Sequence, residues 1–90
     1  MRIPKRIKIG GATYKILFVD ESEILDKNIA DYDLVKGVIH IQKNAIHEQQ
    51  VLSLFHEIIH LININFTEEI VETLAQSLYQ VFSDNKFLKD

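Results

Sequence analysis

The fold is decided by residues 45–62, which read AIHEQQVLSLFHEIIHLI. Apolar side chains recur there at the three- and four-residue spacing of one helical face, and further apolar residues widen that stripe. The stripe contains Val51, Leu52, Leu54, Phe55, Ile58, Ile59, Leu61 and Ile62. A helix that is apolar around most of its circumference is buried. We therefore predict a long helix that packs on a sheet and on one further element.

The chain before this helix has the patterns of β-strands. Residues 5–9 alternate polar and apolar side chains, and Gly10 and Gly11 then favour a tight hairpin turn. Residues 13–19 (TYKILFV) follow and are rich in aromatic and β-branched side chains. Because both faces of this segment are apolar, we expect a strand inside the sheet that is covered on both sides.

A polar connection and a second hairpin are predicted between these strands and the long helix. Residues 20–30 are polar with a few apolar anchors, and we expect at most one helical turn among them. Residues 31–42 form the hairpin, which turns near residues 33–37 because aspartate and glycine favour turns.

A second helix is predicted after the pattern breaks at residues 63–65. Asn65 followed by Glu68 fits a helix N-cap with an acidic residue three positions later, and Thr67 is an equal candidate for the cap. Apolar residues at helical spacing continue to about Phe82. The predicted fold is therefore α+β, with a small antiparallel or mixed sheet followed by two helices.

Length and composition limit the class of protein. The 90 residues are 47% hydrophobic and 26% charged, which is typical of a globular domain and excludes a disordered tail. We expect a single domain over residues 1–90. The absence of cysteine excludes disulfides and thiolate sites, so any metal must be held by histidine and carboxylate side chains. Without an apolar signal or membrane-spanning segment, the expected location is the cytoplasm, with no membrane partner.

The charge of the chain indicates which partners to expect. The net charge is −3, so the chain has no excess of positive charge to bind a polyanion. We therefore expect no nucleic-acid partner. Four basic residues lie among the first eight positions, namely Arg2, Lys5, Arg6 and Lys8. Because Ile7 and Ile9 alternate with basic residues, we interpret this cluster as the solvent-exposed face of a strand.

One motif carries chemistry, the H-E-x-x-H sequence formed by His56-Glu57-Ile58-Ile59-His60. Residues four positions apart lie on one helical face, so both imidazoles can reach one Zn²⁺ ion. Glu57 is turned about 100° away and can deprotonate a water molecule at the metal without being a ligand. A helical wheel places both histidines at the border of the apolar arc. The alternative is a pair of boundary histidines that contact local carboxylates.

A third metal ligand is expected from the second helix. Glu72 lies at the edge of that helix's apolar stripe, and apposing the two stripes would bring it toward the histidines. Glu68 lies one turn earlier on the same face and is the main alternative. Glu68 and Glu69 are also explained by the helix dipole, which favours acidic residues in the first turn. Tyr79 is expected to be a core aromatic residue, with a hydrogen bond to a developing oxyanion as the alternative role.

The two helical stretches, FHEIIHLI at residues 55–62 and EEIVETLAQSLYQVFSDN at residues 68–85, resemble a group of small phage- and prophage-encoded H-E-x-x-H proteins. These are similar to the catalytic core of the ImmA/IrrE-type metallopeptidases within the zincins. The resemblance extends to the hairpin IKIGGATYKILFVD and the strand GVIHI. It implies a minimal zincin-like domain in which residues 38–41 lie at the sheet edge and pair with an extended peptide.

The resemblance also implies roles for individual residues. In that group a glutamate that opens an E-x-x-A pattern on the later helix is the third zinc ligand, and Glu72 to Ala75 matches it. His56, His60 and Glu72 would then bind Zn²⁺, and Glu57 would be the general base. The implied activity is hydrolysis of a peptide bond in a protein or peptide substrate, and analogy with relatives indicates a transcriptional regulator as one such substrate.

Two alternatives to this zinc metallopeptidase stay open at the level of sequence. The first is a non-catalytic, zinc-stabilised module that binds a host or phage regulator, with the metal supplying folding energy that a thin core lacks. The second is a phage-encoded interaction protein that acts without metal through a surface patch. Neither the substrate nor the oligomeric state follows from the residues.

Overall fold

The computed structural model describes residues 2–24 and 28–85, so part of the predicted connection at residues 20–30 and the end of the tail lie outside the described residues. Two helices follow four strands along the chain. The elements are β1 (Arg6–Ile9), β2 (Ala12–Val19), β3 (Ala30–Asp33), β4 (Val38–Gln42), α1 (His47–Ile62) and α2 (Glu68–Asn85), with a short 3₁₀ helix at Glu21–Glu23. Both predicted hairpins and both predicted helices are confirmed.

The four strands form one mixed sheet in the order β1-β2-β4-β3. β1 pairs with β2 and β3 pairs with β4 in antiparallel fashion, whereas β2 and β4 are parallel. The α+β class and the small mixed sheet are therefore as predicted. The expectation that residues 38–41 lie at the sheet edge is wrong, because β4 lies between β2 and β3. The edges of the sheet are β1 and β3.

The first hairpin closes through a two-residue turn. Ile9 pairs with Ala12, and Gly10 and Gly11 between them have φ angles of 58° and 93°. Positive φ at both central residues is the geometry that matches the right-handed twist of paired strands, and glycine adopts it without steric cost. The two glycines therefore set the register of β1 against β2.

α1 covers one face of the sheet and forms the first core cluster with it. Tyr14, Ile16, Ile39 and Ile41 point to that face and pack with Leu54 of α1. Ile39 and Ile41 are completely buried, as expected for the central strand of the sheet.

The opposite face of the sheet is not covered by a helix within the described residues, because α2 packs on α1 rather than on a strand. Leu17, which points to that face, is 42% exposed. The expectation that residues 13–19 are covered on both sides is therefore wrong, although the strand does lie inside the sheet. The two helices follow one another through a short connection, and both remain on one side of the sheet.

α2 packs against α1 through a second, smaller core cluster of Ile59, Val71 and Ala75. The ring of Phe55 contacts the rings of Tyr79 and Phe82, with centroids 6.5 and 5.8 Å away. Tyr79 is thus a partly buried aromatic residue that packs on α1 through Phe55. Neither helix of the described residues combines the length and the apolar character that crossing a membrane requires.

Candidate metal centre

The two histidines of the H-E-x-x-H motif lie side by side on α1. Nε2 of His56 and Nε2 of His60 are 3.2 Å apart, and the ring centroids are 4.9 Å apart. Residues four positions apart on a helix are stacked one turn above the other, which explains this proximity. Both side chains are partly buried and face the start of α2.

The carboxylate of Glu68 meets both imidazoles. Its Oε2 is 3.2 Å from Nε2 of His56, and its Oε1 is 2.5 Å from Nε2 of His60. Each of these three side chains offers one atom that can bind a metal, and the three atoms lie within 4.8 Å of one another. The three side chains could therefore hold one metal ion. Among the described residues no other group of histidine and carboxylate side chains has this property.

The connection between the helices explains why Glu68 is so placed. α1 ends at Asn63, whose N–H donates to the carbonyl oxygen of Ile59 and whose side-chain oxygen accepts a hydrogen bond from the N–H of Asn65. Phe66 is then packed into the second core cluster, which brings the chain back toward α1. The N–H of Ile70 donates to Oγ1 of Thr67 at 3.3 Å, so Thr67 is the residue that caps α2. Glu68 is consequently the first residue of the helix.

Glu72, the favoured third ligand of the sequence analysis, is not part of this three-residue cluster. It lines the same cleft, is exposed, and its Oε1 accepts a hydrogen bond from Nε2 of Gln76 at 3.4 Å. One helical turn, about 6 Å, separates it from Glu68 along the axis of α2. The structure therefore brings the alternative carboxylate, Glu68, to the histidines.

Glu57 lies beside the histidines and is buried, with 7% of its surface exposed. Burial, and to a smaller extent the nearby carboxylates of Asp31 and Glu68, together raise the pKa of its carboxyl group from 4.5 to about 8. In the absence of a cation, this carboxyl group is therefore largely protonated at neutral pH. It is among the residues that line the cleft in front of the histidines.

The cleft lies between β3 and the two helices and has a volume of about 790 Å³. On the sheet side it is lined by Ala30, Asp31 and Tyr32 of β3. The ring of Tyr32 is 6.1 Å from the ring of His60. The cleft is open to solvent and is lined by both histidines, Glu57 and Glu68.

Two of the residues that line the cleft were missed by the sequence analysis. Asp31 lies in β3, where its Oδ1 is 2.8 Å from Nδ1 of His40. His40 is thus paired and only partly exposed. Tyr32 could have been found by alternation, because in β3 it shares a face with Ala30, and that face is the one that α1 covers.

No protein family, curated protein or solved structure matches this chain. The function is therefore inferred from the residues of the site and their geometry.

Proposed function

We propose that this chain is a minimal zincin-type peptidase that uses one Zn²⁺ ion to hydrolyse a peptide bond in a protein substrate. The observation that carries the proposal is the convergence of His56, His60 and Glu68 in an open cleft that also contains a buried glutamate, Glu57. Two imidazoles and one carboxylate are a donor set of catalytic zinc sites, which leave the fourth position to water or substrate.

Two of the separations within the cluster are close to those around a tetrahedral ion. Zinc–ligand bonds of about 2.1 Å at tetrahedral angles separate neighbouring ligand atoms by about 3.4 Å. The distance between the two Nε2 atoms is 3.2 Å, and the distance from Nε2 of His56 to Oε2 of Glu68 is also 3.2 Å. Oε1 of Glu68 is only 2.5 Å from Nε2 of His60, so the carboxylate would have to move away from that imidazole to accept the ion.

Glu57 is the residue proposed to move protons. A bound Zn²⁺ ion would polarise the substrate carbonyl and make a nearby water more acidic. The carboxylate of Glu57 would take the proton from that water and deliver it to the leaving amine. A cation held by His56 and His60 would favour the ionised form of Glu57, so the buried carboxyl group could then act as a base.

Within residues 2–24 and 28–85, β3 pairs only with β4, and this free edge supports a peptide as the substrate. The N–H of Gln42 donates to the carbonyl oxygen of Ile29 at 2.7 Å, so these residues form a hydrogen-bonded pair. Hydrogen-bonded and non-bonded pairs alternate along antiparallel strands, so the backbone groups of Ala30 and Tyr32 point away from β4. Both residues line the cleft. An extended peptide could therefore pair with β3 and cross the cleft in front of the metal ligands.

Metal analysis of three matched proteins tests the metal site. We expect one zinc per chain in the unmodified protein and loss of the ion in His60→Ala. His47→Ala is the control, because it removes a histidine of the same helix that does not line the cleft. If none of these proteins retains zinc after it is added back, or if His60→Ala retains it, the proposed site is wrong.

Substrate cleavage by Glu57→Gln tests the chemistry separately from the metal. The variant keeps the size of the side chain and should keep the zinc, but turnover should fall by roughly 10²–10⁴-fold. Undiminished cleavage by this variant would exclude Glu57 as the general base.

The alternative is a zinc-stabilised binding module without catalysis. It is favoured by the shallow burial of α2, in which only Val71 and Ala75 are buried, because a metal that joined α2 to α1 would add stability there. A large fall of the melting temperature with chelator, together with no cleavage of any offered protein, would support this alternative.

A further inference from the structure

The edge of the sheet farthest from the metal centre has free backbone groups. Among the described residues only β2 pairs with β1. The N–H of Ile16 donates to the carbonyl oxygen of Lys5 at 2.9 Å, so this pair is hydrogen-bonded. Because such pairs alternate with non-bonded ones, the N–H and C=O groups of Arg6 and Lys8 point outward from the sheet. The N–H of Lys15, which lies opposite Arg6, donates to the carbonyl oxygen of Gly37 on the other side of β2, as expected when Arg6 and Lys15 form a non-bonded pair.

The side chains at this edge are cationic and unpaired. Arg6, Lys8 and Lys15 are exposed, and by alternation they lie on the sheet face that no helix covers. Within residues 2–24 and 28–85, no carboxylate lies within ion-pair distance of any of the three. Arg6 is directly opposite Lys15, and like charges in that position repel. These three cations gather on one face of a protein whose net charge is −3.

We propose that the edge of β1 binds an extended segment of a partner protein in which acidic residues alternate with apolar ones. A strand that pairs with β1 forms its hydrogen bonds with Arg6 and Lys8. The partner residues directly opposite these two therefore have side chains on the cationic face, where carboxylates meet the positive charges. The intervening residues lie on the face of Ile7 and Ile9, which are half-buried and apolar.

The same features disfavour other occupants. A second copy of β1 would bring Arg6 and Lys8 of the two chains together and would be repelled. Pro4 has no N–H to donate, so the edge that can pair with another strand begins after this residue. A nucleic acid would contact the positive charges but would use neither the free backbone groups nor the apolar face. The selectivity of the edge thus combines attraction for acidic segments with repulsion of basic ones.

Peptide binding tests the proposal. The probe is a fluorescein-labelled peptide, Val-Glu-Ile-Glu-Val-Glu-Ile, and its lysine counterpart is the charge control. We expect saturable binding of the acidic peptide that weakens as salt is raised from about 0.05 to about 0.5 M, and no binding of the lysine peptide. Equal binding of both peptides, or no binding of the acidic peptide at millimolar concentration, would overturn the proposal.

Two charge reversals on neighbouring residues provide matched variants. Lys8→Glu places a negative charge on the cationic face and should weaken binding several-fold. Lys5→Glu makes the same change at an exposed side chain that alternation directs to the opposite face, so its effect should be less than about twofold. Circular dichroism of both variants shows whether they fold. Equal weakening by two folded variants would contradict the proposed face.

Amide hydrogen exchange separates strand pairing from simple charge attraction. In the free protein, we expect fast exchange of the amides of Arg6 and Lys8 and slow exchange of those of Ile7 and Ile9. The acidic peptide should protect the first two amides. Binding without that protection would overturn the proposal. Tighter binding of an oligothymidylate than of the acidic peptide would overturn it as well, and would identify the surface as a nucleic-acid site.

Discussion

The two edges of the sheet have the same kind of free backbone groups but opposite charges. At the β3 edge, the cleft gathers the carboxyl groups of Glu57 and Glu68 together with that of Asp31. At the β1 edge, Arg6 and Lys15 face each other without a described carboxylate nearby. Each edge therefore keeps like charges close together, which costs stability unless a ligand of opposite charge is present. Under the two proposals, the side chains rather than the shared backbone geometry decide which ligand each edge accepts.

The largest effect is expected from removing the buried carboxyl group of the cleft. The pKa of Glu57 is raised by burial to about 8, so the folded state binds its proton more tightly than the unfolded state does. Its contribution to stability is fully present below about pH 4.5 and is lost as the pH rises through about 8. In metal-free protein prepared with a chelator, the free energy of unfolding should therefore fall less between pH 5 and pH 8.5 for Glu57→Gln than for the unmodified protein. The two falls should differ by an amount on the order of several kcal/mol.

Urea unfolding of both proteins at the two pH values measures this difference. The same measurement on Lys5→Glu is a control for a change of charge outside the cleft. If the free energy of unfolding changes equally with pH in Glu57→Gln and in the unmodified protein, the carboxyl group makes no such contribution.

The second effect concerns the identity of the third ligand. Glu68 contacts both histidines, whereas Glu72 lies one turn farther along α2. Glu68→Gln should lower the affinity for zinc by about 100-fold or more, and Glu72→Gln should lower it by less than about threefold. Competition with a chromophoric chelator measures both affinities. The opposite order would assign the metal to Glu72, as the family resemblance implies.

A smaller effect is expected from blocking the free backbone at the β3 edge. Tyr32→Pro removes an N–H that points away from β4, a position at which proline is tolerated in an edge strand. Zinc should stay bound, while kcat/KM for a peptide substrate should fall about tenfold because one backbone hydrogen bond to the substrate is lost. Tyr32→Ala is the control, because it also removes the ring but keeps the N–H. Equal impairment by the two variants would show that the ring matters and the backbone N–H does not.

The smallest effect is expected at the β1 edge. Arg6→Glu replaces the repulsion of Lys15 by an attraction and should raise the free energy of unfolding by about 0.2–1 kcal/mol. The gain should shrink at high salt because both side chains are exposed. Denaturant unfolding at two ionic strengths measures it, and Lys5→Glu again controls for net charge. A destabilised Arg6→Glu would contradict the repulsion.

Much of the fold could be predicted because it depends on local patterns. Alternation and Gly10-Gly11 predicted the first hairpin, and apolar spacing predicted α1 and α2. The position of β4 between β2 and β3 could not be predicted, because strand order depends on contacts between residues far apart in the chain. The exposure of Leu17 has the same origin, since its apolar character does not reveal whether a third layer exists.

The candidate site shows the same division. The positions of His56 and His60 follow from the spacing of four on one helix, so the sequence sufficed. Glu68 and Glu72 share a face of α2, so a helical wheel cannot choose between them. The choice depends on how far α2 is shifted along α1, which the connection through Phe66 determines. Alternation places Tyr32 on the face of Ala30, but its position in the cleft also depends on the pairing of β3 with β4.

The small core beneath α2 has a consequence for how the protein would lose a bound ion. Val71 and Ala75 are the only buried residues of this helix, whereas α1 has five buried residues and packs on the sheet. α2 is therefore expected to open as a cooperative unit at a lower free energy than the sheet and α1. Since Glu68 belongs to α2 and both histidines belong to α1, each such opening separates the carboxylate from the imidazoles. The lifetime of the bound ion would then be governed by local unfolding of one helix.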